Sequence, residues 1–373
     1  MNKIPVLLCA ALLLLPLAQK VSAAPAVSAD SAVLMEAESG DVLADIDAHR
    51  RMPMASTTKI MTALVVLERC SDLSRTVSVS PDAVGIEGSS VYLRAGEELT
   101  VEQLLYALLL ESANDAAAAL AIDIAGDVSA FAQMMNAEAA RLGLSDTHFT
   151  NPHGLDDPEH YSSAYDLALL ARYALSVPDF ARIASTYRTT IPLNGEEGTR
   201  VLINHNKMLK YYSGSIGVKT GYTKRCGRCL VSAAERDGVT MIAVTLSAPD
   251  DWHDHTVLLD YGFSLYTRAV LAEPGQFSYE LPCLGGNSET VSVSNHEQFS
   301  AVLPRTHGEI TVRAEANRYL TAPVQCGDEI GCLTFSASGR ELGTIPLIAD
   351  SDSAALPPEP RFSQRLRDFL RIS

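Results

Sequence analysis

The sequence predicts an α+β architecture: one antiparallel sheet with helices packed on it and a helical block inserted between its strands, followed by a small all-β unit. Three observations carry this. A strand-like hairpin near the start (Ala32–Ala37, a Ser39-Gly40-Asp41 turn, Val42–Ala44) and strand-like runs from Thr189 onward bracket a mostly helical stretch, Met54–Ala184. A last helix carries Thr256–Phe263. Beyond Glu273-Pro274-Gly275 come short β-type runs separated by Gly and Pro turns: Thr290–Val293, Phe299–Leu303, Glu309–Arg313 and Thr344–Ile348. These suit a small β-sandwich.

The elements follow in order. Met1-Asn2-Lys3 is a short basic start, Ile4–Ala18 is apolar but too short to span a bilayer comfortably, and Val21-Ser22-Ala23 offers small residues at a cleavage point. Residues 1–23 are therefore expected to be an export signal cut after Ala23, with Cys9 as apolar filler. The helical block opens on Ser56-Thr57-Thr58-Lys59, a cap-like entry followed by the apolar run Ile60–Leu67. Residues three apart share a helix face, so Ser56 and Lys59 should meet. Free amides at a helix N-terminus favour an oxyanion beside Ser56 and disfavour a second positive charge on a buried Lys59. A lysine deprotonated near neutrality can take the proton of a serine nucleophile. Alone, the run also suits a capping serine with a solvated lysine.

Two further strings follow in order. Ser112-Ala113-Asn114 lies in a polar break between the apolar stretch Leu104–Leu110 and a helix resuming at Ala116–Ile124. Such a break suits a loop pointing into a cleft, where Ser112 can relay a proton from Lys59 to a leaving group and Asn114 can hold a substrate amide. It also suits an ordinary turn in which Asn114-Asp115 caps the next helix. Lys219-Thr220-Gly221 sits on the strand-compatible run Ser215–Thr223, with Leu230–Ala233 as its hairpin partner. Alternation puts Lys219, Gly221 and Thr223 on one face. Gly221 leaves room for a substrate to pair with the backbone, and Lys219 and Thr220 suit a terminal carboxylate. A surface strand with one exposed lysine gives the same local pattern. Each string is ordinary alone; together they supply a nucleophile, a base, a second serine and a distant lysine, a complete acyl-transfer set.

On these residues the chain resembles the low-molecular-weight penicillin-binding proteins, serine-type D-alanyl-D-alanine carboxypeptidases. Met54–Leu64, Asn151-Pro152-His153-Gly154-Leu155, Tyr161–Ala168, and Lys219–Thr223 with Gly227–Val231 all match the family's style. The similarity covers roughly Ala26–Phe263. The resemblance implies a β-lactamase/transpeptidase-like catalytic domain. It makes Ser56 the acyl-ester nucleophile, Lys59 its general base and Ser112 a proton-transfer partner. Asn114, Lys219, Thr220, Gly221 and Tyr222 become substrate-binding positions, with an oxyanion hole from the Ser56 and Tyr222 backbone N–H groups. It implies peptidoglycan stem peptides as substrate, β-lactams as covalent inhibitors, and no metal or organic cofactor. Two departures stand out. Cys226 replaces a residue that is often small in relatives. Many relatives also carry, after a later strand, an arginine that helps bind the substrate carboxylate, where this chain has Ala248-Pro249-Asp250-Asp251-Trp252-His253-Asp254-His255. His253 or His255 is a possible substitute, or a cap for the next helix. The alternatives are a serine β-lactamase, for which Glu159 is the candidate water-activating carboxylate, and a catalytically silent cell-wall-binding or β-lactam-sensing protein.

Composition fits export. The formal charge of the 373 residues is −16, and losing Lys3 and Lys20 with the leader takes it to −18, which argues against nucleic acid as a ligand. No second long apolar run predicts an ordinary transmembrane helix. Six cysteines follow the leader (Cys70, Cys226, Cys229, Cys283, Cys326, Cys332). Cys226-Gly227-Arg228-Cys229 has metal or redox spacing, but no second paired CxxC exists, so free or disulfide-bonded thiols are expected rather than a metal. The expected divisions are 1–23 signal, 26–272 catalytic domain, 273–349 all-β accessory domain, 350–360 linker and 361–373 a terminal helix. In that last segment Phe362, Leu366, Phe369 and Leu370 form an apolar stripe flanked by Arg361, Arg365, Arg367 and Arg371, suited to an anionic membrane surface.

Overall fold

The computed structural model describes residues 6–7, 24–193 and 198–357. Two compact units result, one of the described residues up to 267 and one of those from 268 onward together with Val6 and Leu7. In the first, β1 (Ser31–Glu36), β2 (Val42–Ile46), β3 (Ser215–Thr223), β4 (Gly227–Arg236) and β5 (Val239–Leu246) form an antiparallel sheet in the order β2-β1-β5-β4-β3. The two ends of this part of the chain meet where β1 pairs with β5, Val33 opposite Val244. Every residue of β1 and all but one of β5 are buried. Strands covered on both faces read as continuous apolar runs rather than alternating ones. Helices α5 (Ala164–Leu175) and α8 (Asp251–Leu265) both pack on β1 and β5.

The inserted block holds α1 (Lys59–Arg69), α2 (Val101–Leu110), α3 (Asn114–Ala125), α4 (Val128–Arg141), α5 and α6 (Pro178–Ala184), with a four-residue α7 (Met208–Tyr211) before β3. Helix α1 is its axis. Lys59 through Val66 are all buried, so its apolar residues run continuously instead of forming one stripe. Helix α2 starts at a full capping box in which the Thr100 hydroxyl accepts from the Gln103 N–H and the Gln103 side chain accepts from the Thr100 N–H. Two ribbons edge the block: Thr76–Ser78 with Glu98–Thr100, which the sequence does not announce, and Arg188–Pro192 with Thr199–Ile203, where strands were expected to return. The first has only three residues per strand, too few to show a period.

From Tyr266 onward the described residues hold the four expected strands and four more. The larger sheet runs Ile310–Ala316, Glu329–Ala337, Arg340–Ala349, Thr290–Ser294, Ser278–Leu284 and Leu320–Thr321. A two-stranded sheet of Tyr266–Ala272 and Phe299–Pro304 faces it, with Leu271, Ala272 and Phe299 packed on Leu333, Phe335 and Ile345. Phe299 and Phe335 meet with ring centroids 4.6 Å apart. The stretch expected as linker is docked as far as Leu356. Ser353 exchanges backbone hydrogen bonds with Val324, Ala355 bridges Gly286, and the Leu356 N–H donates to the Gly285 carbonyl. Of the leader, only Val6 and Leu7 are described, paired with Ala314 and Arg313. The rest of it and the amphipathic segment 361–373 lie outside the described residues.

Candidate active site

The Ser56 string enters α1 differently from the sequence expectation. Ala55–Thr58 form a 3-10 turn, Ala55 has φ +47°, and no side chain caps the helix N-terminus. Instead the Thr57 and Thr58 hydroxyls donate back to the Met54 and Ala55 carbonyls, each at 2.7 Å. His160 braces the turn from outside. Its Nδ1 accepts from the Thr150 N–H at 3.0 Å, so the neutral ring carries its proton on Nε2, 2.7 Å from the Thr58 hydroxyl. Burial holds His160 neutral, with its pKa down to about 4.

Lys59 begins α1 and is fully buried. Its Nζ has three partners: Ser56 Oγ at 3.0 Å, Asn114 Oδ1 at 2.7 Å and the His153 carbonyl at 2.5 Å. Two of these are obligate acceptors, and only the Ser56 hydroxyl can also donate. A neutral amine fits this set completely, with two N–H bonds to Asn114 and His153 and its lone pair facing the Ser56 proton. The pKa of Lys59 is driven well below its ordinary value, first by burial and next by the Lys219 charge, while Asp115 pulls the other way. The downward shift was expected; burial rather than the helix terminus is its main cause.

The loop Asn151–Gly154 supplies the third partner, a role that sequence reasoning missed. Asn151 Oδ1 accepts from the Gly154 N–H at 2.7 Å, and the Pro152 carbonyl accepts from Thr62 at 2.6 Å. Gly154 has φ +89°, and a Cβ there would stand 2.0 Å from the Ala55 carbonyl oxygen. The Asn-Pro-x-Gly turn chemistry was visible, but not what it closes on.

A cleft of about 330 Å³ opens at Ser56, lined also by Ser112, Lys207, Thr220, Gly221, Tyr222, Arg228 and Trp252. Strand β3 is the last of its sheet, so its outer backbone edge borders no further strand there. Lys219 is fully buried and its Nζ donates to the Thr220 carbonyl at 3.1 Å. Burial lowers its pKa to about 7, opposed by Glu111. Gly221 is small for a reason other than substrate pairing alone: a Cβ would lie 3.0 Å from the Met54 carbonyl oxygen and 3.1 Å from the Ser56 nitrogen. Ser112, at φ +60°, lines the cleft without being one of the Lys59 partners. Asn114 stands behind Lys59. Its carboxamide is committed, Oδ1 to Lys59 and Nδ2 to the Glu87 carbonyl at 2.5 Å.

Other candidates fall outside the cleft. His255 is completely buried, with Nδ1 2.5 Å from Ser232 Oγ and Nε2 2.9 Å from Thr245 Oγ1, and His253 is exposed and not in the lining. Neither caps α8, and Asp251 and Trp252 reach the cleft instead. Glu159 is exposed and absent from the lining. Cys226 and Cys229 are buried free thiols; contact with Cys229 lowers the Cys226 pKa to about 7.

The family model for D-alanyl-D-alanine carboxypeptidase matches residues 18–250. The chain belongs to this family. Its members are serine peptidases, and β-lactam binding is general among them. The model for the penicillin-binding protein 5 C-terminal domain matches residues 266–355. The chain is 34% identical over 333 residues to D-alanyl-D-alanine carboxypeptidase DacF of Bacillus subtilis, covering 87% of this chain and 85% of that protein. It is 31% identical to DacC of Escherichia coli over 95% and 90% of the two chains. Penicillin-binding protein 5 from Haemophilus influenzae superposes with a TM-score of 0.67 at 28% identity, over 89% of this chain and 99% of that one.

Gly154→Ala should cost at least about 2 kcal/mol, since both the positive φ and the contact with backbone oppose a side chain. Denaturant unfolding measures this. Penicillin labelling of the folded fraction should slow more than about tenfold, because the Ala55–Ser56 turn must shift.

Proposed function

We propose that Ser56 attacks the penultimate carbonyl of a peptidoglycan pentapeptide stem while neutral Lys59 takes its hydroxyl proton. The collapse of the tetrahedral adduct breaks the peptide bond, and the departing D-alanine amine receives a proton through Ser112. Water then attacks the acyl ester and returns Ser56. The three-partner geometry of the Lys59 Nζ carries this reading, because it orients a lone pair at the Ser56 hydroxyl before substrate arrives. Thr220, Gly221 and Tyr222 border the cleft from β3, with Lys219 buried beside them, and an extended peptide can lie along the open strand edge. Asn114 acts here by holding Lys59, and its second Nδ2 hydrogen remains beyond the bond to Glu87.

β-Lactams present a strained amide to the same serine, and their leaving amine stays tethered. Intact-mass spectrometry should find one penicillin adduct, on Ser56. Ser56→Ala should abolish it and peptide hydrolysis alike, and Lys59→Ala should slow acylation by about 10²–10⁴-fold. An adduct elsewhere rejects the mechanism, rapid penicillin turnover indicates a β-lactamase, and absent acylation with ordered binding indicates a silent sensor.

The pH profile of kcat/KM on a D-Ala-D-Ala peptide should be bell-shaped. At low pH Lys59 gains a proton and cannot act as base. Above about pH 7 Lys219 loses the charge that attracts the substrate carboxylate. Replacing Lys219 with Arg should remove the alkaline decline from the profile of whatever activity remains.

We further propose export, with the segment 361–373 as a peripheral anchor on the outer face of the cytoplasmic membrane. Its basic flanks and apolar stripe support this. Deleting Pro360–Ser373 should release the protein into the soluble fraction on cell fractionation; unchanged retention refutes the anchor.

A further inference from the structure

A terminal carboxylate held in a cleft needs a fixed cation with free donors. Lys219 is poorly suited to supply this alone, being fully buried with its Nζ donating to the Thr220 carbonyl. The segment after β5 contributes Asp251 and Trp252 to the cleft.

Arg228 stands in the same cleft, on β4 directly opposite Tyr222 of β3. Opposed residues of an antiparallel pair project from the same face. Its Nε and Nη2 both meet Asp251 Oδ1, at 3.0 and 2.9 Å. The Asp251 side chain is 3% exposed and that of Arg228 43%. The carboxylate is thus an inner brace, and the guanidinium keeps an open side. A guanidinium has five N–H donors, and this brace uses two. Trp252 supports the group further, its ring centroid 5.7 Å from Arg228 Cζ. Lys207 Nζ lies 5.9 Å from the same ring and has no ion pair among the described residues. With Arg228 balanced by Asp251, Lys207 leaves this end of the cleft net positive.

We infer that Arg228, braced by Asp251 and Trp252 and assisted by Lys207, recognises the free terminal carboxylate of the peptide substrate. This rests on the peptidase reading above and adds a specificity residue to it. Arginine keeps its charge at every working pH and offers a planar fork to a carboxylate, so it suits the task better than a buried lysine. Asp251 is a positioning residue: it fixes which side of the guanidinium faces the cleft.

The test compares an N-acylated L-Lys-D-Ala-D-Ala peptide with its C-terminal carboxamide, following D-alanine or D-alaninamide release. The wild type should favour the free acid. Arg228→Gln should lower kcat/KM for the acid by about 10- to 100-fold, the usual loss for a charge-assisted hydrogen bond, and change the amide by no more than about threefold. Arg228→Lys should recover part of the preference for the acid. Lys207→Gln should lower the acid rate less and reduce its dependence on salt. Equal losses on both peptides, or an unchanged ratio in Arg228→Gln, overturn the subsite while leaving the peptidase intact. A wild type that releases product from neither peptide and forms no penicillin adduct overturns the peptidase reading, and the subsite with it.

Discussion

A fully buried lysine is the constraint on which the catalytic unit is built. Burying an ammonium is costly, and the protein meets that cost by arranging partners that suit the neutral form. Asn114 and the His153 carbonyl accept from Lys59, while Ser56 is the partner able to donate. The same set that makes the buried amine tolerable also points it at the serine. Stability and reactivity are therefore one arrangement. The neighbourhood agrees: His153 and His160 are held neutral by burial, their pKa values down to about 3 and about 4, so neither competes as a cation beside Lys59.

The rest of the unit serves to bring those partners together. Asn114 and His153 lie 55 and 94 residues from Lys59 in sequence. The nucleophile turn is clamped between two glycines, Gly154 from the mid-chain loop and Gly221 from β3, each at a place where a side chain would meet backbone. Two backbones thus approach the turn from different elements, and Ala55 adopts a left-handed conformation between them. Such strain persists only where the surroundings over-determine it.

Much of this was readable from sequence because catalytic groups are few and chemically distinct. Ser56, Lys59, Ser112 and Lys219 announce themselves by type, spacing and order. The first strand was readable because β1 is buried on both faces and carries the unbroken apolar run Ala32–Met35. What remained hidden depends on contacts between distant segments. Nothing local in Asn114 says that its carboxamide is spent on Lys59 and Glu87. Nothing local in Arg228 says that Asp251, from another element, will hold it toward the cleft. The histidines of α8 looked available for binding, yet His255 lies in the core between Ser232 and Thr245 hydroxyls. The unannounced strands Ser278–Leu284 and Glu329–Ala337 alternate with small and polar residues that blur their period.

The pairing of β1 with β5 governs how the molecule can be assembled. Every chemical group of the acyl-transfer set precedes residue 222, yet β1 reaches β4 only through β5, which begins at Val239. A chain cut before that strand would hold Ser56, Lys59, Ser112 and Lys219 and lack the piece that joins its first strand to the hairpin carrying Lys219. Closing a sheet between residues some two hundred positions apart is a late and slow event in folding. The cleft is accordingly a property of the finished domain and not of its leading part.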